Sequence, residues 1–209
     1  MKSLLLIFTS IFVAGCSVVG DSKADTAPYT LLKSDDNGKI EVRNYDSLIL
    51  VSTSMSGKKG NRAFRTLFSY ISGDNEGATE ISMTAPVIMG KKNLAKNGTK
   101  ISMTTPVFMN ESSAESLMSF VMPNDFTLET IPKPTNPDVL ISELKDYKVA
   151  AIKFSGTLSN SNVEKHTEIL ENWITENGYA AINEPLKAGY NSPFTLPMMR
   201  RNEVLIEVE

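Results

Sequence analysis

One cysteine, one histidine and one tryptophan are all that 209 residues contain of these three types. With Cys16 the only thiol, the chain cannot close a disulfide within itself, and a Cys- or His-based zinc site cannot be assembled. A lone histidine also falls short of a non-heme iron site with two histidines. A Ser-His-Asp triad would have to run through His166, and no nucleophile-elbow pattern is present. The glycine-rich phosphate loop is missing as well. Basic residues number 21 against 24 acidic ones, a formal net charge of −3, and no basic patch stands out. That balance argues against nucleic acid as a partner. The carboxylates are scattered as on a solvated surface. These absences favour binding over catalysis and name no ligand.

The only long apolar run lies at the N-terminus. MKSLLLIFTSIFVAGC places Lys2 before the apolar stretch Leu4–Val13 and then small residues, the layout of a secretory signal. It is too short for a membrane span, which needs about 20 apolar residues. Val13-Ala14-Gly15-Cys16 resembles the lipobox of bacterial lipoproteins, in which the cysteine is lipidated and becomes the first mature residue. The expected organisation is a lipoprotein signal peptide over residues 1–15, a polar tether over 16–27 after the lipidated Cys16, and one domain over 28–209. An acylated Cys16 would hold the domain at a membrane. Ser17 after the cysteine favours the outer membrane, with the domain facing the periplasm.

Two echoes run through the domain. Glu41-Val42-Arg43-Asn44-Tyr45 recurs in type as Glu143-Leu144-Lys145-Asp146-Tyr147, each time leading into a β-rich run and then a helical pattern. This predicts two βα-type halves related by duplication. A first helix is expected over about Asn61–Ser72, with Phe64, Leu67, Phe68 and Ile71 on one stripe and Gly73 as its stop. A second is expected from the capping-box pattern Ser161–Glu164 to Gly178, with Val163, Ile169, Leu170, Trp173 and Ile174 on its apolar face. Strands are expected at Ile40–Arg43, Ser47–Ser54, Ser119–Val121, Phe126–Leu128, Val149–Phe154 and Val204–Val208. Two helices among this many strands describe an α+β domain around a curved antiparallel sheet or barrel.

The second echo is closer. ISMTAPVIM, Ile81–Met89, returns as ISMTTPVFM, Ile101–Met109, across a linker containing the turn signal Asn97-Gly98. Alternation puts Ile81, Met83, Ala85, Val87 and Met89 on one face, and Ile101, Met103, Thr105, Val107 and Met109 on its match. An antiparallel hairpin is expected, with Pro86 and Pro106 at an edge, a bulge or a strand end. The methionines are core-facing residues or contacts to a bound planar ligand. His166, beside the second helix's stripe, is a candidate axial ligand for iron or a hydrogen-bonded residue at the core margin.

Asn61–Asn75, the ISMTAPV and ISMTTPV segments, MSFVMP (Met118–Pro123) and GYNSPFTLPMMRRNEVLIEV (Gly189–Val208) resemble, in order, the SOUL heme-binding protein family. The resemblance covers residues 28–209 and implies a barrel-like α+β fold of two βαβ-type halves. It implies non-covalent binding of heme or another tetrapyrrole in a surface groove beside the first helix. Some members are proposed to use an axial histidine before that helix; this chain has no histidine before His166. Others hold heme by apolar contacts and basic side chains. In that mode Phe64, Leu67 and Phe68 offer apolar surface, Lys58, Lys59, Arg62 and Arg65 pair with the propionates, and Met55, Met83 and Met103 are weak thioether candidates. Arg200, Arg201 and Glu203 are expected to tie the last strand to the sheet. A structural or protein-interaction lipoprotein on the same scaffold, without tetrapyrrole, is the competing expectation. Oligomeric state is left open.

Overall fold

The computed structural model describes residues 25–55, 60–91, 116–192 and 194–209. Cys16, Lys58, Lys59, Met103 and the whole second nonapeptide, Ile101–Met109, lie outside the described residues. Nine strands and two helices are described: β1 Asp25–Thr26, β2 Thr30–Ser34, β3 Ile40–Ser54, α1 Gly60–Ile71, β4 Thr84–Ala85, β5 Val87–Lys91, β6 Ser116–Val121, β7 Leu140–Phe154, α2 Asn160–Glu176, β8 Leu186–Gly189 and β9 Asn202–Glu207. Strands run in the order β3-β6-β5-β8-β9-β7, and β7 pairs back onto β3. Every one of these pairings is antiparallel. The result is a closed six-stranded barrel with α1 and α2 packed on its outside, the α+β class expected. Among the described residues no helix is long and apolar enough to cross a membrane.

The duplication is built into the longest ladder. β3 and β7 pair from Ile40 opposite Ile152 to Ser52 opposite Leu140, and the equivalent residues Tyr45 and Tyr147 face each other. Their rings are 6.5 Å apart. Each half is therefore one long strand leading into one helix, related by a pseudo-twofold axis between the two tyrosines. The ladder skips Asp46 and Asp146 there, with Asp146 at φ 48°. The inward set consequently changes from Tyr45 to Leu48 and Leu50. The register is the same on both sides, Tyr45 opposite Tyr147 and Ser47 opposite Lys145, so the change of inward face without an inserted residue is what makes one continuous β3 read as two strands in the sequence.

Three apolar layers result. Leu48, Leu50, Ile88, Val121, Val149, Ala188 and Leu205 fill the barrel interior. Ile49, Val51, Met118 and Phe120 point outward beneath α1. Ile40, Val42, Ile152 and Val204 point outward beneath α2. Gly73 (φ +109°) and Gly178 (φ +78°) end the two helices in the left-handed conformation, as expected. The cap of α2 is Ser159 rather than Ser161: Ser159 has the extended backbone a cap needs and accepts from the Asn162 amide.

The first nonapeptide departs from the expected hairpin. Both edges of Val87–Met89 are occupied, one by β6 and the other by β8, so it is an interior stave and not an edge strand. Pro86 separates β4 from β5, a strand end as expected. Met83, Val87 and Met89 pack toward α1, whereas Ala85 joins Ile88 inside the barrel. Strict alternation fails because Pro86 interrupts it. Phe126–Leu128 is turn rather than strand: the Phe126 amide donates to Pro123 O and that of Ile131 to Thr127 O. Asp25–Ala27, read as the end of a tether, pair with β4, and Ala27 is buried.

Candidate functional site

α1 is held to the barrel by Ala63, Leu67, Tyr70 and Ile71. Leu67 is fully buried, worth about 1.5–3 kcal/mol in transfer from water. The Tyr70 hydroxyl donates to Pro132 O at 2.6 Å, and burial pushes its pKa up to about 12. The buried stripe is thus rotated from the expected Phe64, Leu67, Phe68 and Ile71, because Ala63 and Tyr70 take the inner positions. Phe64 is left half-buried and Phe68 is 49% exposed. The two rings stack at 6.0 Å and 14°, and Phe64 meets Phe120 edge-on at 5.3 Å.

Arg62 and Arg65 are exposed on the same helix. α1 contains no acidic residue, and among the described residues neither arginine has an ion pair. Residues 62, 65 and 68 recur at helical spacing, giving a row of two guanidiniums and one exposed ring. Met55, Met83 and Met89 are half-buried around the same layer. Thr53, in that direction along β3, is buried, and its hydroxyl has no hydrogen-bond partner among the described residues. Sequence reasoning missed Thr53, since nothing in its neighbours marks a buried hydroxyl as unpaired.

The outer face of α2 has the opposite character. It carries Glu164, Glu168, Glu171 and Glu176 against Lys165. A cleft of about 290 Å³ beside it is lined by Glu164, Glu168 and Glu171, with Lys187 its one base. His166 belongs to this half. Its ring stacks on Phe154 at 4.1 Å and Nδ1 lies 2.7 Å from Asn162 O. The structure therefore brings Arg62, Phe64, Arg65, Phe68 and Met83 to one layer and places His166 in the other.

Among the described residues, apolar side chains fill the barrel interior. Below its apolar filling lies a buried charge network. Arg43, fully buried, donates to Glu203 through both terminal nitrogens, at 2.7 and 3.0 Å, and to Glu41 through Nε at 2.7 Å. Glu203 also accepts from Tyr190 at 2.6 Å and from Arg201 at 2.7 Å. Glu41 also accepts from Tyr29 at 3.1 Å and from Lys153. Burial alone would raise both carboxyls, but the Arg43 guanidinium and its neighbours outweigh it and hold them below the ordinary range. Of the residues expected to tie the last strand to the sheet, Arg201 and Glu203 do so in this network, where Glu203 reaches back 160 positions to Arg43, whereas Arg200 donates to Thr195 O.

With strands, layers and exposed row in place, the chain can be set beside known proteins. The sequence model of the family described as SOUL heme-binding protein matches residues 24–96 and 88–207. The chain belongs to the SOUL heme-binding protein family. Heme-binding protein 2 of Homo sapiens is 30% identical over 173 residues, spanning 80% of this SOUL chain and 77% of its own length. Heme-binding protein 2 of Mus musculus matches to the same extent. Among solved structures, the C-terminal domain of EcmrR superposes with a TM-score of 0.53 at 12% identity, covering 87% of this chain and 98% of that one. A hydrolase from Listeria innocua superposes at 0.53 with 10% identity, over 82% and 92%. At such identities the likeness to the two solved structures is one of fold alone.

The donor set on α1 fits the group the family name implies. Heme presents a flat apolar ring and two carboxylates. The Phe64–Phe68 pair offers ring faces, and Arg62 and Arg65 offer the bidentate donors that suit carboxylates. Toward iron, the described residues of this layer offer only thioethers. The group of three or more His, Cys, Asp or Glu side chains that a metal ion needs is absent among the described residues.

Proposed function

We propose that this SOUL protein binds heme or a related tetrapyrrole reversibly, without a covalent link and without catalysing a reaction on it. The site is the outer face of α1. The observation that carries the reading is the contrast between the helices: α1 shows two arginines beside the exposed Phe68 ring and the half-buried Phe64 ring with no acid, while α2 shows four glutamates. A dianionic planar ligand is attracted to the first face and repelled by the second. The filled barrel leaves the outside as the place for such a ligand. Arg62 and Arg65 hold the carboxylates, Phe64 and Phe68 cover the ring, and Met83 borders it. Cys16, lipidated, anchors the protein in the bacterial envelope, at the outer membrane and facing the periplasm; the lipobox-like Val13–Cys16 supports this.

Titration of the full chain with hemin tests the site. A saturable Soret change is expected. The variant R62A/R65A should lose about tenfold in affinity, as expected for two exposed charge pairs of about 0.2–1 kcal/mol each, while H166A should change it little. Absence of a saturable change would favour the competing reading of a scaffold without tetrapyrrole. An unaltered affinity in R62A/R65A would move the site off α1.

A further inference from the structure

Ten large apolar side chains are exposed among the described residues, and four of them fall within six positions: Phe194 (86%), Leu196 (44%), Met198 (77%) and Met199 (42%). This segment, Phe194–Met199, joins β8 to β9. It is firmly held. Thr195 is buried between two exposed neighbours and its amide donates to Ser192 O at 3.0 Å. Arg200 Nε donates to Thr195 O at 2.7 Å. The Met199 amide closes a 3-10 turn on Leu196 O at 2.9 Å, and Gly156 N donates to Pro197 O at 2.8 Å. The backbone is thus ordered while its apolar side chains face water. Clusters of that kind mark interaction sites.

The occupant follows from where the segment stands. Val87 of β5 pairs with Gly189, the last residue of β8, and two residues earlier Ala85 pairs with Thr26. The described chain therefore enters the fold at the barrel end where β8 runs out toward Phe194. Tyr29 and Arg201 meet in the charge network at that same end. Cys16 stands nine positions before Asp25, so extended chain between them spans at most about 30 Å. A lipid on Cys16 would bring this end of the barrel to the bilayer. Phe194, Leu196, Met198 and Met199 are apolar side chains of the kind that enter the boundary between headgroups and acyl chains. A second copy of the chain is a poorer fit, because a stable dimer needs about 800 Å² per partner, far beyond four side chains.

We infer that Phe194, Leu196, Met198 and Met199 form a membrane-docking tip that inserts into the headgroup–acyl boundary of the bilayer to which Cys16 anchors the chain. The inference rests on the lipid-anchor reading and sets the barrel's orientation, with β8 and β9 meeting the membrane at one end. It makes no use of α1.

Full-length F194W, expressed with its N-terminal segment, is placed on vesicles of phosphatidylethanolamine and phosphatidylglycerol with and without acyl-brominated phosphatidylcholine. Trp173, the one native tryptophan, supplies the background in the unsubstituted chain. The indole at 194 should shift to the blue and lose at least half its emission with brominated lipid, while the unsubstituted chain changes little. M198W serves as a second reporter, and far-ultraviolet dichroism of both variants should match the parent. Protein on the vesicles whose indoles at 194 and 198 stay water-exposed and unquenched would keep the anchor and refute the docking. A chain that does not associate with vesicles at all would refute both. A blue shift that follows protein concentration rather than lipid would assign the tip to self-association and overturn the proposal.

Discussion

Removing Glu203 should damage the protein more than removing Arg43, although the two residues share one ion pair. The network holds three cations, Arg43, Arg201 and Lys153, and two carboxylates, Glu41 and Glu203. R43M leaves two cations and two carboxylates, each carboxylate still paired: Glu203 with Arg201 and Tyr190, Glu41 with Lys153 and Tyr29. E203M leaves three cations against Glu41, with Arg43 fully buried among them. Breaking a buried pair costs about 3–5 kcal/mol. R43M belongs near 3 and E203M near 5. For a domain of this size each kcal/mol moves Tm by roughly 2–4 °C, so the melts should fall by roughly 6–12 °C and 10–20 °C. The double variant R43M/E203M should be less destabilised than E203M alone, since it removes the stranded cation. Urea unfolding followed by Trp173 emission and by dichroism measures all three. Equal single effects that add in the double variant would refute the coupling. The acid limb supplies a second check. Both carboxyls are held low in the folded protein, so they contribute stability above their unfolded pKa of about 4.3 and lose it as pH falls through the lowered folded values. R43M should begin to unfold at a higher pH than the parent.

G90A should destabilise by about 1–3 kcal/mol, because the added Cβ would lie 2.2 Å from Leu186 Cδ2 across the β5–β8 pair; thermal melts should show L186A partly relieving it, and an unchanged melt would mean that the pair gives way freely. Burial pushes Tyr45, Tyr147 and Tyr190 above the ordinary tyrosine value. Their neutral form is the one the fold prefers, so that stability is present below pH about 10 and is lost as pH rises through the folded values. An alkaline titration at 295 nm should show a delayed phase coincident with unfolding; full ionisation of the six tyrosines near pH 10 in folded protein would contradict the packing.

The fold was legible where pattern and packing agree, and obscure where a residue's partner is distant. The Glu41–Tyr45 and Glu143–Tyr147 echo located the two halves correctly, because both copies occupy equivalent places on one ladder. Helix α1 was placed to within a residue, yet its inner face was misread: periodicity ranks Phe64 and Phe68 above Ala63 and Tyr70, and cannot see that Tyr70 finds Pro132 O. β2 and β8, at five and four residues, are too short to show a period. Asn44 and Asp46 make β3 look broken, whereas the β3–β7 ladder keeps one register across them. The nonapeptide repeat suggested a hairpin because similar strings invite pairing, but the edges of Val87–Met89 go to β6 and β8. Of the site, Arg62, Arg65, Phe64, Phe68 and Met83 do share a layer. That Phe68 is exposed and α2 acidic where α1 is basic becomes visible only once each face is known.

The charge network also fixes when the protein can fold. β9 is the stave between β8 and β7, and it brings Glu203 to an arginine that left the ribosome 160 residues earlier. Until β9 has emerged, β7 has a bare edge and Arg43 has no Glu203, so the barrel cannot close. Closure of the barrel thus waits on one of its most distant contacts, and a chain built that way pays its loop-closure entropy before the pairing rewards it, which slows folding.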